Sequence, residues 1–418
     1  MLLLSASNPP HDLADHPRDQ PFASSLSILA PNINQPKQYS WYLPVKMSSL
    51  PRRLEDKVVL DIGSLYIKCG YSGESRPRAI VPAHLSPYAN TLDGSRAIED
   101  LLPLWNLEIG YEEVPYIEAR IADLLHRIYE RNLLVDPRSR KVVVCEGPLL
   151  SMPVKRAITT ALFDVLRAPS ITWLPSGWTA LVSCGRQTGL VIDVGYNETT
   201  IQAVYDGRPL VHTIRSIPKA GSALTKRLAS LLTQDSEIVV DDTLLQDMNV
   251  FGLTIWEDMK ARTLKVPFQS SVLSTLEGSI DSSTHFIPYT FESTQVMMPE
   301  WICERAAEVL FEEDEDEVSL RSSVAECLLK CSSDIRSEVV RNVLVIGGTS
   351  SLSGFRQRLY NEVGILKPNF PPNTVSWVGA SLVSSLKLPF TEFSQDDFRN
   401  GGASMSMIPD WSWIQEAA

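Results

Sequence analysis

Two segments of the chain share one pattern, and this repeat limits the possible folds more than any other feature. Residues 58–73 read VVLDIGSLYIKCGYSG, and residues 190–207 read LVIDVGYNETTIQAVYDG. Each is an apolar strand that ends in Asp-x-Gly, followed by a polar turn and a second strand. Glycine lets backbone N–H groups approach an anion, and the adjacent aspartate can hold the water shell of a metal ion. The repeat therefore predicts two loops that close on one phosphate chain.

The charge of the chain limits its partners. Its 418 residues carry a net charge of −12, and the sequence pI is near 5.1. These values argue against a general nucleic-acid binder or a protein of anionic membrane surfaces. No apolar run approaches the length of a membrane span, and the apolar stub at the N-terminus is too short for a signal peptide. We therefore expect a cytosolic or nuclear protein with no nucleic-acid partner and no membrane span.

Six cysteines are scattered along the chain, which fits free thiols in a reducing compartment. Cys327 and Cys331 lie four residues apart, a spacing that zinc ligands on a helix can have. No histidine or second cysteine pair accompanies them, so buried core cysteines are the favoured interpretation.

The order of elements predicts an α/β protein. Residues 1–54 are rich in Pro, Ser, Asn and Gln, and we expect a disordered tail there, with Met47 as an alternative start. A Pro-rich connection is expected at residues 76–87. The predicted strands are 57–62, 66–71, 141–145 and 342–346. The predicted helices are 114–132, 153–166, 221–232, 253–264 and 298–311, the last followed by an acidic run at 312–317.

A third glycine-bearing loop follows the last predicted strand. Here the sequence GGTSSLSGFRQRL leads into a helix that we expect to begin near Ser353 or Gly354. A strand-to-helix junction of this kind offers free N–H groups and a positive helix end to an anion or a nucleoside. Three such loops in fixed order are far more specific than one, because a single short motif often occurs by chance.

With these loops in place, the chain resembles the actin family. Several further segments carry the resemblance, which extends with gaps over residues 56–390: PRAIVP (77–82), SCGRQTGLVIDVG (183–195), YDGRPLVHTIRSIPKAGSALTKRL (205–228), CSSDIRSEVVRNVLVIGGTSSLSGFRQRL (331–359) and SWVGASLVSSL (376–386). The resemblance implies the fold shared by actin, Hsp70 chaperones and sugar kinases, with two duplicated α/β domains around a nucleotide cleft. The small domain would comprise residues 55–183 and 376–418, and the large domain residues 184–375.

The resemblance also implies roles for the first loop. Asp61 would lie in the water shell of Mg²⁺, and Lys68 would neutralise the terminal phosphates of ATP or ADP. The backbone of Gly63 and Ser64, with the Ser64 hydroxyl, would contact those phosphates. Asp61, like Asp193 in the second loop, has a simpler alternative as a turn-former, and Lys68 has one as a solvated surface lysine.

The other two loops would complete the cleft. Asp193 and Gly195 would face the phosphates from the large domain, with Asp193 also close to the water shell of the metal. Lys260, within IWEDMKARTL, matches a lysine beside the adenine, although it too can be a surface lysine. Three residues of the third loop would cover the nucleoside: Gly347, Gly348 and Thr349.

The second loop departs from the family pattern. Actin-type loops carry Asp-Gly after the shared Asp-x-Gly, whereas this chain has Tyr196 and Asn197. We expect Asn197 to preserve the turn, since asparagine tolerates positive φ, and the Tyr196 side chain to crowd or replace a phosphate contact. Ser176 aligns with the glutamine that orients the attacking water, and Thr200 aligns with a histidine of the same pocket. We therefore expect nucleotide to be bound with weak or absent ATPase activity.

A second departure concerns assembly. Between Asp61 and Glu146 the chain is about ten residues shorter than the actin pattern, and the missing part belongs to the pointed-end lobe that grips the next filament subunit. Filament contacts are head to tail, so a subunit that keeps only one of the two faces can end a filament. This profile resembles the actin-related subunits that cap the pointed end of dynactin. The implied partners are actin-related filament subunits, pointed-end accessory subunits and, indirectly, dynein, in the cytoplasm and on the cytoskeleton.

Several alternatives stay open. A nuclear actin-related scaffold subunit of a chromatin remodeller is the main one, although the chain has only Arg52-Arg53 and no basic localisation run. An active ATPase or sugar kinase is disfavoured by the substitutions and by the lack of a clear catalytic base. An Hsp70-like chaperone would need a C-terminal peptide-binding domain. Trp411 and Trp413 near the C-terminus either anchor a partner or tie the tail onto the domain.

Overall fold

The computed structural model describes residues 56–83, 103–106, 112–234, 253–267, 286–291, 294–313, 318–363, 368–386, 388 and 390–400. The expectations for the N-terminal tail, for most of the shortened lobe, for the larger part of the acidic run and for the two C-terminal tryptophans lie outside these residues. Within them, no helix is long and apolar enough to cross a membrane.

Two sheets form around the two predicted loops. The first has six strands in the order β13-β5-β4-β1-β2-β3. Its strands are β1 (Val58–Ile62), β2 (Tyr66–Tyr71), β3 (Ala79–Pro82), β4 (Val142–Glu146), β5 (Ser170–Pro175) and β13 (Phe393–Ser394). The pairs β1–β4 and β4–β5 are parallel, whereas β1–β2 and β2–β3 are antiparallel.

The second sheet repeats the centre of the first. It has five strands, with the path β12-β6-β7-β8 and β9 paired to β7. Its strands are β6 (Gly189–Val194), β7 (Thr199–Tyr205), β8 (Arg208–Pro209), β9 (Arg215–Ile217) and β12 (Val343–Ile346), and a separate hairpin joins β10 (Phe286–Phe291) to β11 (Thr294–Pro299). In each sheet an Asp-x-Gly hairpin, β1–β2 or β6–β7, lies beside a parallel strand, β4 or β12. The duplicated α/β fold class is confirmed.

The helices cover both sheets. They are α1 (Val114–Arg127), α2 (Met152–Thr160), α3 (Ser176–Ser183), α4 (Gly221–Gln234), α5 (Leu253–Thr263), α6 (Glu300–Glu308), α7 (Leu320–Lys330), α8 (Ser333–Val340), α9 (Phe355–Val363), α10 (Val375–Ser385) and α11 (Gln395–Asn400). Both α1 and α2 continue into a π-helical turn, at Ile128–Leu133 and Ala161–Val165. The apolar stripe predicted for α1 is buried at Ile117, Ile121, Leu124, Leu125 and Ile128.

Each sheet has its own apolar core. One core gathers residues of β1, β2, α1 and α2, and the other gathers residues of β6, β7, α4 and α6. All six cysteines are free thiols, and five of them are buried, including Cys327 and Cys331. The described residues contain no group of three or more potential metal ligands among His, Cys, Asp and Glu. The division into domains at residues 183–184 and 375–376 stays a prediction.

Two helices connect the cores. Helix α10 packs on the first sheet, where the Trp377 indole donates to the Val59 carbonyl at 3.1 Å. Helix α3 packs on the second sheet, against Val191 and Leu344. The two helices meet at Gly379, where an added Cβ would lie 1.7 Å from the Thr179 carbonyl oxygen. Only glycine allows backbones to approach this closely.

Two local predictions were wrong, and one predicted helix start is shifted by a single residue. Residues 79–82 of the expected Pro-rich connection form edge strand β3, with Pro82 at its end, where a missing N–H is tolerated. Met298 lies in β11 and not in a helix, because the residue before a proline is pushed toward extended backbone. The helix expected near Ser353 or Gly354 begins at Phe355, since Gly354 has φ +83°.

The contact between α3 and α10 leads to a stability prediction. Although alanine is the better helix former, Gly379→Ala should lower the free energy of unfolding by about 2 kcal/mol or more, because the methyl group forces the two helices apart. Gly147→Ala is the matched control, since no atom lies within 4 Å of its added Cβ. Urea unfolding of both variants measures the difference. Equal stability of the two variants would contradict the close approach.

Candidate functional site

The two Asp-x-Gly turns close in the same way. The N–H of Gly63 donates to the Tyr66 carbonyl at 3.0 Å, and the N–H of Gly195 donates to the Glu198 carbonyl at 3.1 Å. A Cβ on either glycine would lie about as close to that same carbonyl oxygen, at 3.0 and 3.1 Å. Both glycines therefore shape a turn with their own N–H groups, and the N–H groups of the following residues are the ones left to meet an anion.

In the first loop, an acid and a base face each other across the hairpin. Asp61 and Lys68 are cross-strand partners in the β1–β2 register. The Lys68 Nζ lies 2.6 Å from the Asp61 Oδ2, and each side chain is 17% exposed. Burial alone would lower the pKa of Lys68, but Asp61 and then Asp193 hold it above its usual value. A lysine held in this way stays charged and can neutralise an anion.

In the second loop, the equivalent position carries no base. Asp193 is paired in register with Thr200, as Asp61 is with Lys68. Burial raises the pKa of Asp193 to about 6, Lys68 of the other hairpin opposes this shift, and Asp61 and Glu198 add to it. The structure thus brings Asp61, Lys68 and Asp193 together, with one cation shared between two acids.

The third loop approaches the second at a glycine. Gly347 has φ +95°, and an added Cβ would lie 2.5 Å from the Asp193 Oδ1 and 2.3 Å from the Val194 carbonyl oxygen. Its N–H donates to the Pro372 carbonyl at 3.1 Å. Both the backbone conformation and the space require glycine here. Gly348, by contrast, faces open space, and nothing lies within 4 Å of its added Cβ.

The Tyr196 side chain turns toward the predicted nucleoside residues. Its Cδ2 would lie 3.1 Å from a Cβ on Gly221, and its ring centroid lies 5.4 Å from the Lys260 Nζ. Lys260 is 4% exposed, donates to the Gly221 carbonyl at 2.9 Å, and pairs with Glu257. Lys260 is therefore a buried, fully engaged lysine and not a solvated one. Burial and then the Glu257 charge raise the pKa of Tyr196.

The remaining contacts tie the second and third loops together. The Thr349 hydroxyl donates to the Gly195 carbonyl at 2.7 Å, and the N–H of Gly221 reaches that carbonyl at 3.2 Å. Gly221 and Glu257 were missed as site residues by sequence reasoning. Glu257 lies three residues before Lys260 on a helix, and this spacing is the signal that could have identified Glu257.

Asn197 joins the two halves of the molecule. Its side-chain amide donates to the Trp105 carbonyl at 2.9 Å, and the adjacent Leu104 N–H donates to the Ser64 carbonyl at 2.6 Å. The expectation that Asn197 preserves the turn by a positive φ was wrong: the described non-glycine residues with positive φ are Leu134, Arg167 and Asp206. The side chain of Asn197, and not its backbone conformation, is what matters here, because it links the second loop to the first.

Ser176 and Thr200, which align with the glutamine and the histidine of the family pattern, are both buried. Ser176 begins α3, is 6% exposed, and its hydroxyl has no hydrogen-bond partner among the described residues. Thr200 is 7% exposed within β7. Neither side chain has the reach or basicity of the residue it replaces in the family pattern.

Comparisons with known proteins agree with this architecture. The family model described as Actin matches residues 54–406. The chain belongs to the actin family. Actin-like protein 7A from Bos taurus is 25% identical over 359 residues, which cover 80% of this chain and 78% of the relative. Actin-like protein 7A from Mus musculus is 26% identical over 373 residues, covering 82% and 81%. Actin-related protein 10 from Dictyostelium discoideum is 24% identical over 432 residues, covering 85% and 89%.

The actin family fold binds nucleotide with Mg²⁺, and the two halves of this site fit such a ligand differently. The phosphate and metal half fits, because Asp61, Lys68 and Asp193 converge there and a bound metal ion would offset the burial that disfavours the charge of Asp193. In the nucleoside half, the Tyr196 ring already lies against Gly221 and Lys260. A bound nucleotide would bring its phosphate charge to the first half. The residues of the two halves would hold and orient it.

The Asp193 environment predicts a pH-dependent stability effect. Because its pKa is raised to about 6 in the folded state, against about 3.9 for an ordinary aspartate, the native state loses stability as pH rises through this range. In protein freed of metal and nucleotide, Asp193→Asn should therefore raise the free energy of unfolding by about 1–2 kcal/mol at about pH 7.5, and by much less at about pH 4.

Urea unfolding at the two pH values measures this effect. Asp164→Asn, a substitution at an exposed position, is the control and should change stability by less than about 0.5 kcal/mol at both. A gain from Asp193→Asn that is equal or larger at low pH would contradict the assignment.

Proposed function

We propose that this chain is a non-hydrolysing actin-related protein that caps the pointed end of the dynactin filament in the cytoplasm and so supports dynein-driven transport on microtubules. The observation that carries the proposal is that the two ends of the molecule differ. One end exposes an ordered apolar surface suited to a filament contact. At the other end, beside the Asp61 loop, begins the segment that is about ten residues shorter than the actin pattern.

The apolar surface lies at the end of α10. Ser381 bonds the Tyr71 carbonyl at 3.2 Å, and Tyr71 pairs with Val58 at the amino end of β1, so this surface is opposite the Asp61 loop. Leu382 and Leu386 follow, one helical turn apart, and are 46% and 50% exposed, with Leu388 beyond them 47% exposed. Exposed apolar side chains grouped in this way mark a protein contact.

The shortened segment begins at the opposite end. Ala83 closes β3 by donating to the Leu65 carbonyl at 2.8 Å, beside the first loop. Helix α1 follows this segment. The interval between Asp61 and Glu146 is the one that is about ten residues shorter than the actin pattern. A subunit with one competent face can dock on a filament end and stop its growth there.

The nucleotide, ATP or ADP with Mg²⁺, serves in this proposal as a structural clamp. Lys68 supports binding by neutralising phosphate charge. The groups needed to orient an attacking water are replaced by Ser176 and Thr200, so turnover is weak or absent. Asn197 adds a direct bond between the halves, which keeps them together whatever the nucleotide state.

Affinity purification tests this proposal. The tagged full-length chain should recover actin-related filament subunits and pointed-end accessory subunits of dynactin, identified by mass spectrometry. Recovery of chromatin-remodeller subunits in their place would contradict the proposal and favour the nuclear scaffold.

A pair of variants tests the apolar surface itself. The double variant Leu382→Glu and Leu386→Glu should reduce recovery of the filament subunits at least about tenfold, since two charges in an apolar contact cost several kcal/mol. Leu329→Glu, at a position that is 68% exposed on α7, is the control and should recover them normally. Circular dichroism checks that both variants fold. Unchanged recovery by the double variant would show that another face makes the contact.

A further inference from the structure

An open cavity of about 530 Å³ lies on the outer side of the first core, at the ends of α1 and α2. Cavity residues 134–138 precede the amino end of β4, whereas Asp61 pairs in register with Cys145 near the carboxyl end of that strand. Its apolar wall comes from residues that follow the two helices, chiefly Leu134, Val135, Val165 and Leu166. The lining also carries charges of both signs: Arg138 and Arg167, with Glu130, Asp136 and Asp164. This volume lies within the range of about 300–1,000 Å³ that is typical of ligand pockets.

Unusual backbone surrounds this cavity. Both helices that reach it end in a π-helical turn, a feature that is frequent at functional sites. Leu134 has φ 53° and Arg167 has φ 57°, and the third described non-glycine residue with positive φ is Asp206, which lies elsewhere. Non-glycine residues in this region are strained, and such strain persists where the surrounding structure has a use for it.

Three side chains of the cavity wall are exposed. Leu134 is 55% exposed and Val165 is 54% exposed. Arg167 makes no ion pair with any residue that the structure describes, whereas Arg138 nearby pairs with Asp136 at 3.1 Å. Two of the three lining acids have basic partners as well, Asp136 with Arg138 and Glu130 with His126 at 3.7 Å. The cavity therefore offers exposed apolar side chains among charges of both signs, and Arg167 is the arginine that an acid of an apolar segment can reach.

The C-terminal segment of this chain leaves the described structure beside the cavity. The side-chain amide of Gln395, in α11, donates to the Phe163 carbonyl at 2.7 Å, and the Phe398 ring lies 5.3 Å from the Phe163 ring. Phe163 directly precedes the cavity residues of the second π-helical turn. Helix α11 thus starts the C-terminal segment within a few residues of the cavity.

We propose that residues 405–414, MSMIPDWSWI, dock in this cavity, with Trp411 or Trp413 covering Leu134 and Val165, and with Asp410 paired to Arg167. The ten residues 401–410 that precede Trp411 can span about 33 Å when extended. A tryptophan buries roughly 150–250 Å² of surface, so two such rings supply the cover that the wall lacks. The tryptophans then tie the tail onto the domain and are not free to anchor a partner.

Hydrogen–deuterium exchange of the full-length protein tests this docking, at two protein concentrations. In the wild type, amides of residues 405–414 should exchange at least about tenfold more slowly than unstructured chain. The double variant Leu134→Glu and Val165→Glu should abolish that protection, and the double variant Trp411→Ala and Trp413→Ala should speed exchange in residues 126–138. Leu329→Glu is again the control and should leave both segments unchanged. A charge exchange, Arg167→Glu with Asp410→Arg, should restore protection that Arg167→Glu alone reduces.

Three results would overturn the proposal. Exchange of residues 405–414 at the rate of unstructured chain in the wild type would show that the segment is free. Protection that survives the cavity variant would place the segment on another surface. Protection that appears only at the higher concentration would show that a second copy provides the contact. Should the cavity variant fail to fold, the tail variant and the charge exchange still decide, because all the residues they change except Arg167 lie in the tail. The capping proposal does not depend on this result.

Discussion

The close approach of α3 and α10 is the contact on which the rest of the structure depends. Each helix packs on a different sheet, and the two backbones touch where Gly379 lies against the Thr179 carbonyl. This contact sets how the Asp61 hairpin faces the Asp193 hairpin, since each hairpin belongs to the sheet under one of the helices. The site between the loops is thus a consequence of how two connecting helices pack, and a single methyl group at Gly379 disturbs it.

The chain forms the same hairpin twice, but the two copies carry different charged residues. The turns at Gly63 and Gly195 close with matching hydrogen bonds, yet Asp61 faces Lys68 while Asp193 faces Thr200. The first hairpin can neutralise a phosphate, and the second has an acid whose charge burial disfavours. This difference is the starting point for our proposal that the site holds a nucleotide without turning it over.

Sequence reasoning found the parts of the fold that depend on local pattern. The strands around Asp61 and Asp193 and the buried stripe of α1 follow from periodicity, which is a property of neighbouring residues. The direction of the Tyr196 ring and the bond from Asn197 to Trp105 were not predictable, because they depend on residues distant in sequence. The helix limit at Met298 was missed although the adjacent Pro299 could have signalled it.

Single-turnover hydrolysis of bound ATP tests the central claim most directly. With protein in excess over ATP labelled in the terminal phosphate, the account predicts that the wild type releases phosphate no faster than a few times the uncatalysed rate. A variant that restores the family pattern, with Ser176→Gln, Tyr196→Asp, Asn197→Gly and Thr200→His, should release it at least about tenfold faster. Hydrolysis by the wild type at an actin-like rate would contradict the account, because it would make the nucleotide a fuel and not a clamp.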